Sequence, residues 1–169
     1  MLYPGNWLVN EGTILADDAR TVAYNFEHGY PLWIAPGGGT VTNRGTLAAA
    51  NHAHLVLDAG TYQNEGGVIE ARDTGSVDIF PGAIIRGGAI DSAGSGIVRT
   101  AIYLDGLGGS DGSGVVRLVP GDEGPVDIRG LLQHSGHLTL AFEDELRVSG
   151  ILEMSWGGGR FLRAETGAG

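Results

Sequence analysis

One phrase recurs along this chain at a fixed interval, and a fixed interval is the strongest constraint a sequence places on a fold. It reads Asn10-Glu11-Gly12-Thr13-Ile14-Leu15-Ala16, then Asn43-Arg44-Gly45-Thr46-Leu47-Ala48-Ala49, then Asn64-Glu65-Gly66-Gly67-Val68-Ile69-Glu70-Ala71. A degenerate copy is Arg86-Gly87-Gly88-Ala89-Ile90-Asp91-Ser92. Asn43 to Asn64 is 21 positions, and Gly66 to Gly87 is 21 again. Counting on from Gly88 reaches Gly109 and Gly130, and a similar phrase opens at Gly150-Ile151-Leu152-Glu153. Asn10 to Asn43 is 33 positions, one period with an excess of 12.

Inside one period the pattern is that of strands. Val68-Ile69-Glu70-Ala71, Ser76-Val77-Asp78-Ile79-Phe80 and Ala83-Ile84-Ile85-Arg86 are short apolar pieces, separated by the turn residues Asp73-Thr74-Gly75 and Pro81-Gly82. Val77 and Ile79 alternate with polar neighbours, the period-2 signature of a half-buried strand, and no window sustains a helical apolar period. Three such strands per period predict an all-β, single-stranded β-solenoid (a parallel β-helix) with about 21 residues per rung. Residues 1–169 then make one solenoid domain of roughly seven rungs, stacked at ~4.8 Å. A glycine-rich β-sandwich would explain the alternation but not the fixed period. The asparagine that heads each phrase suits a turn, and identical residues in successive rungs can stack as a hydrogen-bonded ladder.

Composition agrees. The chain has 31 glycines, which are placed at least cost in turns, and no Gly-X-Y period of the collagen kind. There is no cysteine, hence no disulfide or thiolate metal site, and no lysine, hence no lysine catalysis. The net charge of −10 opposes a binder of nucleic-acid phosphates. No apolar run is long enough to insert in a membrane, and the first residues lack the pattern of a signal peptide.

Residues 17–39 hold the excess and four of the twelve aromatics: Tyr24, Phe26, Tyr30 and Trp33. They are expected to cap the coil's open end or to contact another subunit, with a ligand-binding loop as the other reading. Glu70 and Asp91 follow isoleucines at equivalent places in adjacent rungs, and Asp111 falls near the next such place. Stacked carboxylates can run glycoside hydrolysis or hold calcium, although an acidic solvated face is the plainer expectation. Residues 105–114 resemble one imperfect calcium β-roll loop, and a flexible turn accounts for them more simply. His52-Ala53-His54 would direct two imidazoles to one side of a strand, with His134 and His137 elsewhere. Without a His-Glu-x-x-His phrase, neither a metal centre nor a cofactor is expected.

The recurring phrases at Asn10, Asn43 and Asn64 resemble the degenerate repeats of β-solenoid passenger regions in bacterial autotransporters and filamentous adhesins. They are also similar to phrases in the β-helical parts of bacteriophage tail spikes and other virion proteins. The resemblance covers residues 8–16 and 40–104 and carries no catalytic motif. It implies a non-enzymatic structural or adhesive scaffold on a virion or cell surface. Its expected partners are copies of itself, neighbouring structural subunits or a cell-surface glycan. A polysaccharide-degrading β-helix enzyme using Glu70, Asp91 and Asp111 is the alternative.

Overall fold

The computed structural model describes residues 7–17, 31–100, 115–135, 139–142, 146–156 and 160–165, and every regular element among them is a strand. The strands form three sheets. The first contains β1 (Trp7–Asn10), β4 (Thr40–Asn43), β7 (Gly60–Gln63), β10 (Ala83–Arg86), β13 (Val115–Val119) and β16 (Thr139–Phe142). The second contains β2 (Thr13–Ala16), β5 (Thr46–Ala49), β8 (Val68–Ala71), β11 (Ala89–Ser92), β14 (Val126–Ile128) and β17 (Leu146–Val148). The third contains β3 (Leu32–Ile34), β6 (His54–Leu57), β9 (Ser76–Ile79), β12 (Ile97–Thr100), β15 (Leu131–Ser135), β18 (Ile151–Trp156) and β19 (Arg160–Glu165).

The chain visits the sheets in rotation, so three strands make a rung and each strand pairs in parallel with the third strand after it. This is the parallel β-solenoid expected from the repeat. Six rungs lie among the described residues, where roughly seven were expected of the whole chain. The last strand leaves the pattern, because β19 lies antiparallel on β18. The 21-residue spacing holds at Thr40↔Thr61, Val68↔Ala89 and Ser76↔Ile97. It widens to 22 at Thr46↔Val68 and His54↔Ser76 and to 23 at Leu32↔Leu55 and Gly60↔Ala83, and it is lost after β12, where Ala89 pairs with Asp127 and Val98 with Leu132. Residues 101–114 intervene there, so the count from Gly88 through Gly109 to Gly130 does not follow one sheet. Gly130 and Gly150 instead lead into β15 and β18 of the third sheet.

In-register stacking makes the core a set of columns. Leu47, Ile69, Ile90 and Ile128 succeed one another inside the second sheet, and Leu55, Val77, Val98 and Leu132 inside the third. All eight are buried. The column of the first sheet is Val41, Tyr62, Ile85 and Leu118. Tyr62 is wholly buried with its hydroxyl 2.9 Å from Ile34 O and 2.8 Å from Asp58 O. Burial pushes its phenol far above the ordinary value, and the charge of Asp58 adds to this, so the side chain is a neutral donor.

The corner between the first two sheets carries the predicted ladder. Asn10 Nδ2 donates to Asn43 Oδ1 and Asn43 Nδ2 to Asn64 Oδ1, each at 2.7 Å, and all three side chains are buried. Its ends fix its direction. Asn10 Oδ1 accepts from Gly12 N at 3.2 Å, while Asn64 Nδ2 faces the carbonyls of Gly67, Gly87 and Ala89 at 3.3–3.4 Å. The ladder stops where the repeat has Gly87 in place of asparagine. At the neighbouring Gly88, φ is +69° and an added Cβ would lie 1.9 Å from Asn64 O, so no side chain fits.

Replacing the middle rung, Asn43→Ala, strips partners from Asn10 Nδ2 and Asn64 Oδ1 together. It is expected to lower stability by about 2–4 kcal/mol. Thr42→Ala on the outward face is expected to change it by less than about 1 kcal/mol. Urea denaturation of the two variants beside the parent chain measures both.

Candidate functional site

The outer face of the second sheet holds the carboxylates singled out by the repeat. Glu70 and Asp91 are register partners on adjacent strands, as their spacing predicts. Neither stands bare. Glu70 forms an ion pair with Arg72 at 2.6 Å, and Asp91 Oδ1 accepts from Ser92 N at 2.7 Å. The strand after β11 in this sheet is β14, where Arg129 follows Ile128 and donates its N–H to Ile90 O. The next place along the row therefore belongs to Arg129, a cation. Asp111 lies outside the described residues, as does the whole of 105–114.

Of the aromatic set, Tyr24, Phe26 and Tyr30 lie outside the described residues. Trp33 does not sit in an irregular loop: it is the middle residue of β3, opposite Val56, and residues 31–39 continue the coil. Its ring meets Phe80 edge to face, with centroids 5.3 Å apart and planes at 83°. That contact is a structural use of the side chain.

The histidines do not form the predicted pair. Asn51 and His52 both have positive φ, so His52 belongs to an exposed turn and only His54 enters β6. His134 faces inward in β15, buried, with Nδ1 2.7 Å from Thr100 Oγ1. His137 lies outside the described residues. Among the described residues no three potential ligands cluster around a metal position.

A polar network not anticipated from the sequence occupies the outward side of the third sheet. Asp78 is completely buried, yet it stands in the row Trp33, Val56, Asp78, Arg99, Gln133 and Glu153. Arg99 clasps its carboxylate with Nε and, at 3.3 Å, with Nη2. His54 Nδ1 lies 3.4 Å from Asp78 Oδ2 and 2.7 Å from Ser76 Oγ. Serine, histidine and aspartate together suggest a nucleophile relay, but a relay needs hydroxyl and carboxylate on opposite imidazole nitrogens. Here both meet Nδ1, so the cluster is an ion-pair anchor. The 21-residue separation of Asp78 and Arg99 was the available signal for it.

The described surface also contains a groove of about 220 Å³ along the second sheet. It is lined by Gly66, Gly67, Val68, Gly88 and Ala89 and by the turn residues Glu123, Gly124 and Pro125. Asp127, Arg129 and Arg147 complete the lining. The turn that carries Glu123 is closed by mutual Gly121–Gly124 backbone bonds and tied down by Asp122 N donating to Glu65 Oε1 at 3.2 Å.

No protein-family model matches the chain, and no curated protein or solved structure matches it either.

Burial by itself would raise the Asp78 carboxyl, but hydrogen bonds and charge from His54 and Arg99 outweigh it and hold it below its ordinary 3.8. A carboxyl lowered in the fold adds stability that is complete above the unfolded value. That stability is lost as pH falls through the lower folded value. The chain should therefore lose stability on acidification below about pH 4, and Asp78→Asn should flatten that part of the profile. At neutral pH, Arg99→Ala leaves a buried carboxylate without its main partner and is expected to cost about 3–5 kcal/mol. Denaturation midpoints across a pH series check all three.

Proposed function

We propose that this chain is a non-enzymatic structural or adhesive scaffold. In this reading it is a stiff β-solenoid that serves as a virion surface component (a spike, fibre or decoration protein) or as a module of a bacterial surface adhesin. It works packed against copies of itself or neighbouring structural subunits. The observation that carries the reading is how the polar side chains are spent. Asn10, Asn43 and Asn64 bond along the corner, Asp78 binds Arg99, Gln133 Nε2 donates to Glu153 Oε2 at 3.0 Å, and Ser149 Oγ donates to Asp127 Oδ1 at 2.6 Å. Each bond ties one rung to the next. Side chains used this way stiffen a rod and are held back from substrate chemistry.

The first rung supports the contact with other subunits. Trp7, Val9 and Leu15 are the large hydrophobic side chains exposed among the described residues, and all three belong to it. Within residues 7–16 the one charged side chain is Glu11, 3.7 Å from Arg44 of the next rung. On a chain of net charge −10, a terminal rung with apolar side chains exposed on two sheets and one charge lets copies meet without strong repulsion.

Light scattering behind a sizing column tests the reading. A β-rich assembly of two or more chains is expected, reduced to single chains by the double variant Trp7→Glu with Val9→Glu. A parent chain that runs as a monomer and degrades an acidic or neutral polysaccharide, with cleavage lost in Asp91→Asn, would establish the enzyme reading instead.

A further inference from the structure

The groove on the second sheet has a charge pattern that the scaffold role does not use. Four of its side chains are ionic. Two of them neutralise each other, since Arg129 Nε lies 3.1 Å from Asp127 Oδ2, and Asp127 is held further by Ser149. The other two, Glu123 on the turn and Arg147 on β17, have neither an ion pair nor a side-chain hydrogen bond among the described residues. Arg147 extends from β17 as the register partner of Asp127, and both unpaired side chains are exposed. The lining beside them includes bare backbone at Gly66, Gly67 and Gly88, so a ligand can settle there against peptide groups without displacing side chains. An added Cβ at Gly66 would lie 3.8 Å from Glu123 Oε2, which places that carboxylate beside the glycine backbone.

We propose that this groove binds a small zwitterion, a molecule carrying one carboxylate and one ammonium group, the chemistry of an amino acid. The carboxylate pairs with the Arg147 guanidinium, whose planar fork suits it, and the ammonium pairs with Glu123. A simple anion would satisfy Arg147 but meet Glu123, and it would approach a chain of net charge −10. A simple cation would satisfy Glu123 and meet Arg147. A neutral zwitterion satisfies both and feels no net long-range repulsion. The volume of about 220 Å³ admits a compact ligand, below the range usual for drug-sized molecules. This inference goes beyond the scaffold reading and does not depend on it, because the groove is built within one chain.

The test uses the full chain labelled with nitrogen-15, with glycine, β-alanine, 4-aminobutanoate and 6-aminohexanoate as probes and the backbone amides of Gly66, Gly67, Gly88 and Gly124 as reporters. At least one probe is expected to shift these amides saturably while leaving Gly37 and Gly38 unmoved. Acetate and methylammonium, supplied separately, should bind at least about tenfold more weakly. Arg147→Ala and Glu123→Gln should each weaken the best probe by about tenfold or more, and the exposed, unpartnered side chains leave the fold intact in both variants. The proposal is overturned if no probe shifts the reporters, if acetate binds as well as the zwitterions, or if either variant retains parental affinity.

Discussion

Every residue of this coil must tolerate its own counterpart one rung away. Parallel in-register pairing sets equivalent positions side by side at ~4.8 Å, so a column is either compatible with itself or needs a compensating partner. Apolar columns meet that condition at once, and the interior is built from them. Asparagine meets it because its amide carries both donor and acceptor, so Asn10, Asn43 and Asn64 satisfy one another while buried. Charges do not meet it unaided. Glu70 beside Asp91 is accompanied by Arg72, and the buried Asp78 is followed in its row by Arg99.

The same condition explains where unspent chemistry survives. Between β11 and β14 the rung is lengthened, the row that held Glu70 and Asp91 continues with Arg129, and a short turn ending at Pro125 borders the groove. Glu123 stands on that turn, at a break in the repeat. Arg147 is left unpaired for another reason, since its register partner Asp127 is already bound to Arg129. Along the regular rungs, by contrast, Asn10, Asn43, Asn64, Asp78 and Arg99 are taken up by rung-to-rung bonds.

The coil was legible in the sequence because spacing between identical residues directly encodes parallel register. Asn43 and Asn64 gave the period, and β8, β9 and β10 fall on the three apolar pieces read from residues 68–86. The adjacency of Glu70 and Asp91 followed from the same count. Beyond Thr100 the count misled, since an insertion of unstated length moves every later residue to another sheet, and Gly130 and Gly150 look alike whichever corner they serve. The pairing of Asp78 with Arg99 was encoded by their spacing but masked, because an aspartate between two apolar residues reads as an exposed position on a half-buried strand. The two-histidine strand failed at Asn51 and His52, whose positive φ turns the chain before β6 begins. The groove was illegible because it joins successive strands of the second sheet to the turn before β14, across an irregular connection.

The central claim is that the rungs pair in parallel with a fixed register, and the absence of native cysteine makes it directly testable by crosslinking. Thr42 and Gln63 are register partners, and Gln63 in turn partners Arg86. A Thr42→Cys, Gln63→Cys chain holds two cysteines at a separation a disulfide can span, whereas Thr42→Cys, Arg86→Cys places them two rungs apart, beyond that reach. Mild oxidation should close an intramolecular disulfide rapidly in the first chain and leave the second reduced. Equal crosslinking of both chains, or of the second alone, would contradict the stacking from which the rest of the account follows.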